Sequence, residues 1–193
     1  MPSILAIDPG TYASAYVLWD GGAILDKGIV SNDGILYTLS SMANSIDLLA
    51  IEMIGHYGTG MPAGKTVFET CIWIGRFVQA YGKSCFLIKR KAIVTYLCNS
   101  PRAKDSNVRQ ALIDKYGDPK KVEVPVLDDD GNQVMKRNGQ PKTTKVPGSQ
   151  ITFGLSKDLW AALALADFVF ENYKLLHNEK ALEKMKGVIH VTE

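Results

Sequence analysis

Three acidic residues in this chain stand at positions from which their carboxylates could act on one substrate. Asp8 and Glu52 each close a short apolar run, and Asp158 opens a long apolar segment. Two carboxylates at strand ends and one at the start of a helix can converge to hold Mg²⁺ or Mn²⁺, which accept all-oxygen ligands. Two such ions would activate a water and stabilise the leaving oxygen of a phosphodiester. The trio therefore predicts metal-dependent cutting of phosphodiesters.

Each acid also has a purely structural explanation. Asp8-Pro9-Gly10 is compatible with a plain turn, and Glu52 with an ordinary strand end. Asp158 could serve only as an early-turn acid that the helix dipole favours. The functional interpretation rests on the order and spacing of all three.

The elements that must position these acids follow from the apolar patterns. Residues 3–7, 13–19 and 23–30 are predicted strands of a meander, with Asp20-Gly21-Gly22 as a tight turn. A helix is predicted over 34–45 and a fully apolar, parallel-type strand over 47–52. A glycine-rich stretch at 55–64 precedes a helix over 65–81, whose apolar stripe is predicted to be Val67, Cys71, Ile74 and Val78.

The second half of the chain continues this alternation and then changes character. A strand is predicted over 84–88, helices over 89–98 and 104–116, and final helices over 157–176 and 178–186. Between them, residues 118–148 contain two hairpin signals, Asp130-Gly131 and Asn138-Gly139. This segment is predicted to be an inserted basic β-arm, with a solvated loop as the alternative.

The order of elements is that of a ribonuclease-H-like α/β fold, with three antiparallel strands, then parallel strands, flanking helices and the inserted arm. In this fold the first and fourth strands are neighbours, so Asp8 and Glu52 should lie side by side. A helix packed on the sheet would bring Asp158 to the same place. We expect residues 1–193 to form one such domain, with the arm at about 118–148.

The chain resembles the RuvC-type Holliday junction resolvases, particularly short phage-encoded members. The resemblance rests on Ile4-Leu-Ala-Ile-Asp8-Pro-Gly-Thr11, Leu49-Ala-Ile-Glu52 and Trp160-Ala-Ala-Leu-Ala-Leu-Ala166, with a similar stretch over 89–117. It implies a Mg²⁺-dependent homodimer that resolves four-way junctions by two symmetric nicks. It also implies two lysines beside the DNA, for which Lys91 (or Lys89) and Lys104 are the counterparts.

Two departures from the family pattern accompany the resemblance. The family's last helix usually carries a second acid three residues after the first, where this chain has Ala161 after Asp158. Asp167 is nine residues along the helix and would face the opposite side. The family often has a large aromatic three residues after the strand-end glutamate. Here Gly55 takes that place, and Tyr57 is the candidate for stacking on an unpaired base.

Further DNA contacts are predicted in the arm, and two other functions stay open. The arm residues are Lys136, Arg137, Lys142 and Lys145. Because of Ala161, a non-catalytic junction-binding protein is one alternative. The motif from Asp8 to Thr11 also resembles the D-x-G-T phosphate loop of sugar kinases and actin-like ATPases, although no second D-x-G follows. Metal-dependent cutting and ATP binding would separate the three.

Composition limits the class of protein without deciding it. The chain has 193 residues, 46% of them hydrophobic, and a net charge of +2, which suits one domain with local basic clusters rather than an overall basic surface. Cys71, Cys85 and Cys98 have no C-x-x-C spacing and are expected to be reduced core thiols. No signal peptide or membrane span is predicted, so the expected location is the cytoplasm of a bacterium or a phage-infected host cell.

Overall fold

The computed structural model describes residues 2–55 and 64–192, and they form a mixed sheet covered by helices on both faces. The six strands of this sheet are β1 (Ile4–Asp8), β2 (Ala13–Trp19), β3 (Ile24–Ser31), β4 (Leu48–Met53), β5 (Cys85–Lys89) and β8 (Val188–Val191). Their order across the sheet is β3-β2-β1-β4-β5-β8. β1 to β3 pair antiparallel, whereas β1, β4 and β5 run parallel. The predicted ribonuclease-H-like fold is confirmed.

Seven α-helices lie within the described ranges, and three of them build the two outer layers. The helices are α1 (Asn32–Met42), α2 (Lys65–Tyr81), α3 (Arg90–Cys98), α4 (Asp105–Tyr116), α5 (Leu159–Glu171), α6 (Tyr173–Leu176) and α7 (Glu179–Leu182). α1 packs on α2, and side chains of both helices share a core cluster with β1 and β4. α5 packs on β1, β2 and β4. None of the helices in the described part of the chain is long and apolar enough to cross a membrane.

Alternation along β1 and β4 decides which side chains meet which helix layer. Leu5, Ile7, Leu49 and Ile51 belong to the core cluster formed with α1 and α2. Successive strand side chains point to opposite faces, so the intervening residues, with Asp8 and Glu52 at the ends, belong to the face that α5 covers. The two acids therefore lie on the same side of the sheet as the helix that Asp158 precedes.

Residues 112–155 form a second compact unit, distinct from the unit made of 1–111 and 156–193. It contains the end of α4 and the strands β6 (Lys121–Pro125) and β7 (Thr143–Pro147), which pair antiparallel. Beyond them, Val126 and Val134 are joined by a backbone hydrogen bond, as are Val134 and Lys142. Gly131 and Gly139 have φ of 83° and 75°, so both predicted turns have the left-handed glycine that such turns require. The β-arm is thus a hairpin ladder rather than a loop.

Several element boundaries differ from those predicted from the sequence. α1 begins at Asn32 rather than Gly34, because the Ser31 hydroxyl caps it by accepting a hydrogen bond from the Gly34 N–H. The predicted helix 157–176 begins at Leu159 and is interrupted at Asn172, and only 179–182 of the predicted helix 178–186 is helical. The strand β8, antiparallel to β5, was not predicted.

The apolar stripe predicted for α2 was also wrong in its rotation about the helix axis. The buried residues are Thr70, Ile74, Phe77 and Tyr81, whereas Val67, Cys71 and Val78 are only half-buried. The large side chains of Phe77 and Tyr81 pack in the core, so the helix face that carries them is the one that meets the sheet. The Tyr81 hydroxyl donates a hydrogen bond to the Ile46 carbonyl at 3.2 Å.

All three cysteines are free thiols, but only Cys85 lies in the core, where all three were predicted. Cys85 is buried in the core, and its burial raises the pKa of its thiol to about 11. Cys71 and Cys98 are half-buried. Cys85 thus remains a protonated apolar side chain at neutral pH.

Candidate active site

The parallel pairing of β1 and β4 brings Asp8 and Glu52 together. The register matches Ile4 with Leu48 and continues to Ile7 with Ile51, so Asp8 and Glu52 come next on the two strands. Both stand at the carboxyl ends of parallel strands, which is where sites form in open α/β sheets. Glu52 is 8% exposed, so its carboxylate must be neutralised or paired by its surroundings.

A buried hydrogen-bond network holds the chain that follows Asp8. The Gly10 N–H donates to the Ser14 hydroxyl at 3.2 Å, and this hydroxyl donates to the Asn32 side-chain oxygen at 2.6 Å. The Asn32 amide in turn donates to the Gly10 carbonyl at 3.0 Å. A Cβ at position 10 would lie 2.3 Å from the Ala13 carbonyl oxygen, so only glycine fits. The Asp8-Pro9-Gly10 motif is thus a turn that buried hydrogen bonds hold in place at the C-terminal end of β1.

Asp158 reaches the same place from the start of α5. It is the N-cap residue of the helix, but its carboxylate makes no capping hydrogen bond. It lines a cavity of about 260 Å³ together with both strand acids. The residues around this cavity are Asp8, Glu52, Arg90, Asp105, Val108, Lys157, Asp158, Trp160 and Ala161. The three predicted acids therefore share one cavity, and a fourth, Asp105, joins them.

The electrostatics of the cavity are those of crowded carboxylates. Burial, followed by the charges of Glu52 and Asp158, raises the pKa of Asp8 from 3.8 to about 8, although Arg90 acts in the opposite direction. Burial also raises the pKa of Glu52, again against the influence of Arg90. Carboxyl groups with raised pKa values in a cavity are typical of functional sites, because the charged forms need a cation that the fold does not fully supply.

Arg90 supplies part of that missing charge by bridging two of the acids. Its Nη1 lies 3.4 Å from both carboxylate oxygens of Glu52, and its Nη2 donates to the Asp105 carboxylate. Burial opposes the charge of the guanidinium, but Glu52 and Asp105 outweigh it and raise the pKa of Arg90. Arg90 is the first residue of α3, directly after β5, so the β4–β5 pairing places it beside Glu52.

The donor set of the cavity fits a hard divalent cation in its chemistry. All the acidic groups are oxygen donors, and within the described residues the Asp8 carboxylate makes no hydrogen bond or ion pair. Among residues 2–55 and 64–192, no group of three or more Asp, Glu, His or Cys side chains is arranged to hold one ion. The Glu52 carboxylate is instead paired with the Arg90 guanidinium.

Lys157 adds a second cation to the cavity and holds an unusual backbone conformation. Its φ is 42°, in the left-handed region that residues other than glycine, asparagine and aspartate seldom adopt. Such strain persists where the surrounding structure requires it, and it is concentrated at functional sites. The position just before Asp158 makes Lys157 a candidate contact for a DNA phosphate.

The residues predicted to bind DNA lie in several places. Lys89 and Lys91 line a separate cavity of about 740 Å³, which also includes Lys186 and the aromatic rings of Tyr96 and Phe168. Lys104 precedes α4, and its side chain is not part of the carboxylate cavity. Tyr57 lies outside the described residues.

The four arm residues belong to the second unit. Lys136, Arg137 and Lys142 are exposed and make no ion pair within the described part of the chain. Lys145 pairs with Glu123 across the β6–β7 ladder at 3.9 Å.

Sequence reasoning missed Arg90, Asp105 and Lys157. A usable signal existed for Arg90, because it follows directly on a parallel strand neighbouring that of Glu52, although the resemblance points to the adjacent lysines. Asp105 looks in the sequence like an ordinary acid in the first turn of a helix. Nothing in the sequence marks Lys157, since its positive φ arises from the tertiary arrangement of the chain before α5.

Comparisons with known proteins support the fold but give no match at the level of sequence. No protein-family model and no curated protein matches the chain. Among solved structures, Thermus thermophilus RuvC is similar with a TM-score of 0.55 and 12% identity, over 97% of this chain and 99% of that one. RuvC of the same organism in complex with a Holliday junction substrate is similar with a TM-score of 0.54 and 12% identity, over 87% of this chain and 92% of that one. At this identity the likeness is one of fold.

Proposed function

We propose that this protein is a divalent-metal-dependent endonuclease that cuts branched DNA, with four-way junctions resolved by two symmetric nicks. The observation that carries the proposal is the shared cavity of Asp8, Glu52 and Asp158. The raised pKa of Asp8, at about 8, supports it, because a bound cation would stabilise the charged carboxylate and so offset the effect of burial and of the neighbouring acids. The fold shared with a junction-bound RuvC suggests the class of substrate.

The residues of the chain have distinct tasks in this proposal. Asp8, Glu52 and Asp158 would hold Mg²⁺ or Mn²⁺, which supplies activation of a water and stabilisation of the leaving oxygen. The turn at Gly10 and the pairing of β1 with β4 fix the positions of the two strand acids. Lys157, on the cavity wall, would contact a phosphate beside the scissile bond.

The direct test is cleavage of a synthetic four-way junction, a fork and a plain duplex, with and without Mg²⁺. We expect paired nicks in the junction with Mg²⁺ only. Asp8→Asn, Glu52→Gln and Asp158→Asn should each remove cutting while junction binding survives, because phosphate contacts supply most of the affinity. Glu183→Gln, an exposed acid outside the cavity, is the matched control and should cut normally. A site variant that cuts at the wild-type rate would show that the assignment is wrong.

A non-catalytic junction-binding protein is the second candidate, and one observation favours it. Arg90 already pairs with Glu52, and within the described ranges no three acids are arranged around one ion. Junction binding without cutting in either Mg²⁺ or Mn²⁺ would support this alternative. Binding of ATP in place of DNA would instead support the phosphate-loop alternative.

A further inference from the structure

The Arg90 guanidinium contacts two acids of the cavity at the same time. Its Nη1 faces both oxygens of Glu52 at 3.4 Å, and its Nη2 is hydrogen-bonded to Asp105. Glu52 is almost completely buried, whereas the Asp105 side chain is 89% exposed. The guanidinium therefore links a buried acid in the cavity with an acid that water can reach.

The contact with Glu52 covers the donor atoms that a cation would need. A divalent ion must approach the same two carboxylate oxygens, and the Glu52 side chain is only 11% exposed. A guanidinium beside those oxygens would also repel the ion, since both groups are positive and the surroundings are partly buried. Arg90 and a metal ion therefore compete for the carboxylate oxygens of Glu52.

Asp105 provides a second partner for the guanidinium when it leaves Glu52. The Arg90 side chain is partly exposed, and it already touches Asp105. A small shift toward Asp105 would uncover Glu52 without leaving an unpaired positive charge. Arg side chains are long enough, and their donors numerous enough, to keep one carboxylate partner while releasing another.

We propose that Arg90 is an internal counter-cation that contacts both Glu52 and Asp105 in the metal-free protein and, when a divalent cation binds, releases Glu52 and keeps Asp105. This inference rests on the proposed function, since it concerns the metal that the nuclease would use. Arg90 is then a positioning residue for the metal, and Asp105 acts through Arg90.

The test is calorimetric titration of Mn²⁺ into the DNA-free protein, so that the measurement does not depend on activity. Arg90→Gln should bind Mn²⁺ about tenfold more tightly than the wild type, a coupling of ordinary size between two sites. Arg90→Lys keeps a charge without the two-sided fork and should fall between them. Arg102→Gln is the matched control, because it removes an exposed arginine that is not part of the cavity, and it should leave the affinity unchanged.

Asp105 is tested in the same titration by a double-mutant cycle. Asp105→Asn alone should weaken Mn²⁺ binding several-fold, because Arg90 then has no second partner. In the Arg90→Gln background the same change should have no effect. A decrease of affinity in that background would make Asp105 a direct metal ligand and overturn its assigned role.

The outcomes separate this inference from the proposed function. If the wild type and Arg90→Gln bind Mn²⁺ equally, or the variant binds more weakly, Arg90 does not compete and the inference fails while a metal-dependent nuclease still stands. If neither binds Mn²⁺, both proposals fail. Thermal unfolding shows whether Arg90→Gln is folded. If it is not, Arg90→Lys decides, since it must then bind Mn²⁺ more tightly than the wild type.

Discussion

At the scale of single residues, the site is governed by how buried charges are compensated. Asp8 and Glu52 lie at the end of two strands that are otherwise apolar, and both have raised pKa values. Of these two acids, Arg90 contacts Glu52 and not Asp8. The ionised Asp8 carboxylate is therefore buried without a paired cation in the described part of the chain. Ionisation of Asp8 should lower the free energy of unfolding by a measurable amount.

We predict that Asp8→Asn stabilises the metal-free protein at alkaline pH. The folded-state pKa of Asp8 is about 8 and its ordinary value 3.8, so between these pH values the folded state binds more protons than the unfolded state. Stability due to Asp8 is thus present at low pH and is lost as the pH rises through the folded pKa. Asn has no such loss, so its melting temperature in EDTA should exceed that of the wild type at pH 8, by on the order of 5 °C.

At pH 4 the same two proteins should melt at similar temperatures. Glu183→Gln is the control and should not show this pH-dependent gain. A difference between Asp8→Asn and the wild type that is constant from pH 4 to pH 9 would contradict the assigned origin of the pKa shift.

We predict that Lys157→Gly has opposite effects on stability and on DNA binding. Glycine adopts a φ of 42° without strain, so unfolding free energy should rise by up to about 1 kcal/mol after the entropy of glycine is subtracted. Junction affinity should fall, because a cation of the cavity is removed. Lys157→Ala removes the same charge without relieving strain, so it should weaken binding without the gain in stability. Urea unfolding and a binding titration measure the two effects.

At the scale of elements, helix starts and turns bring the chemistry into the cavity. α3, α4 and α5 begin at or next to Arg90, Asp105 and Asp158, and the turn after β1 directs Asp8. Elements that end at one edge of a sheet can contribute side chains to one site without distorting their own hydrogen bonding. Ala161 and the arm are the two places where this arrangement can be tested.

We predict that Ala161→Asp strengthens metal binding. Ala161 lies three residues after Asp158 on α5 and lines the cavity, so an acid there would face the same ion. Mn²⁺ affinity should rise, and activity should stay near or above its starting level. Ala161→Asn matches the size without the charge and should not tighten binding. If the natural protein is inert and Ala161→Asp starts cutting, the wild type is a degenerate junction binder.

We predict that the arm contacts DNA through phosphates. Replacing Lys136, Arg137, Lys142 and Lys145 with alanine should weaken binding to all sequences and flatten its salt dependence, by about 0.9 in slope for each duplex phosphate that is no longer neutralised. Lys145→Ala alone should have the smallest effect, because Lys145 is paired with Glu123. Lys174, Lys180 and Lys184 outside the arm serve as a comparison set. An unchanged slope would exclude the arm from the DNA interface.

At the scale of the whole molecule, a junction resolved by two symmetric nicks requires two active sites. A two-fold symmetric pair of chains meets this requirement most simply. We take α2 as the interface of such a pair, because part of its apolar surface is exposed. Phe68 and Ile72, one turn apart, are 61% and 63% exposed, on a face other than the one that meets the core.

We predict a homodimer that depends on this face of α2. Phe68→Ser with Ile72→Ser should shift the protein to monomer in analytical ultracentrifugation at micromolar concentration, with little change in melting temperature. Leu25→Ser, which alters an exposed apolar residue of β3, is the control and should leave the oligomeric state unchanged. A wild-type protein that stays monomeric even on junction DNA would contradict the dimer.

The sequence by itself predicted the fold class and the three candidate acids, because both follow from local patterns. Apolar runs ending in Asp8 and Glu52 define strands, and glycines at 131 and 139 define turns, whatever else the chain does. The rotation of α2 and the strand β8 were not predictable in this way. The first depends on which large side chains fit against the sheet, and the second is a short, half-exposed strand that needs the edge of β5 as its partner.

Only the tertiary structure decided which cations share the cavity with the acids. Lys89 and Arg90 are adjacent in sequence and both positively charged, yet Arg90 contacts Glu52 while Lys89 lines another cavity. Asp105 is far from Glu52 in sequence and meets it only through Arg90. Such choices depend on the register of β4 with β5 and on the direction in which α3 leaves the sheet, which are long-range properties that no local pattern encodes.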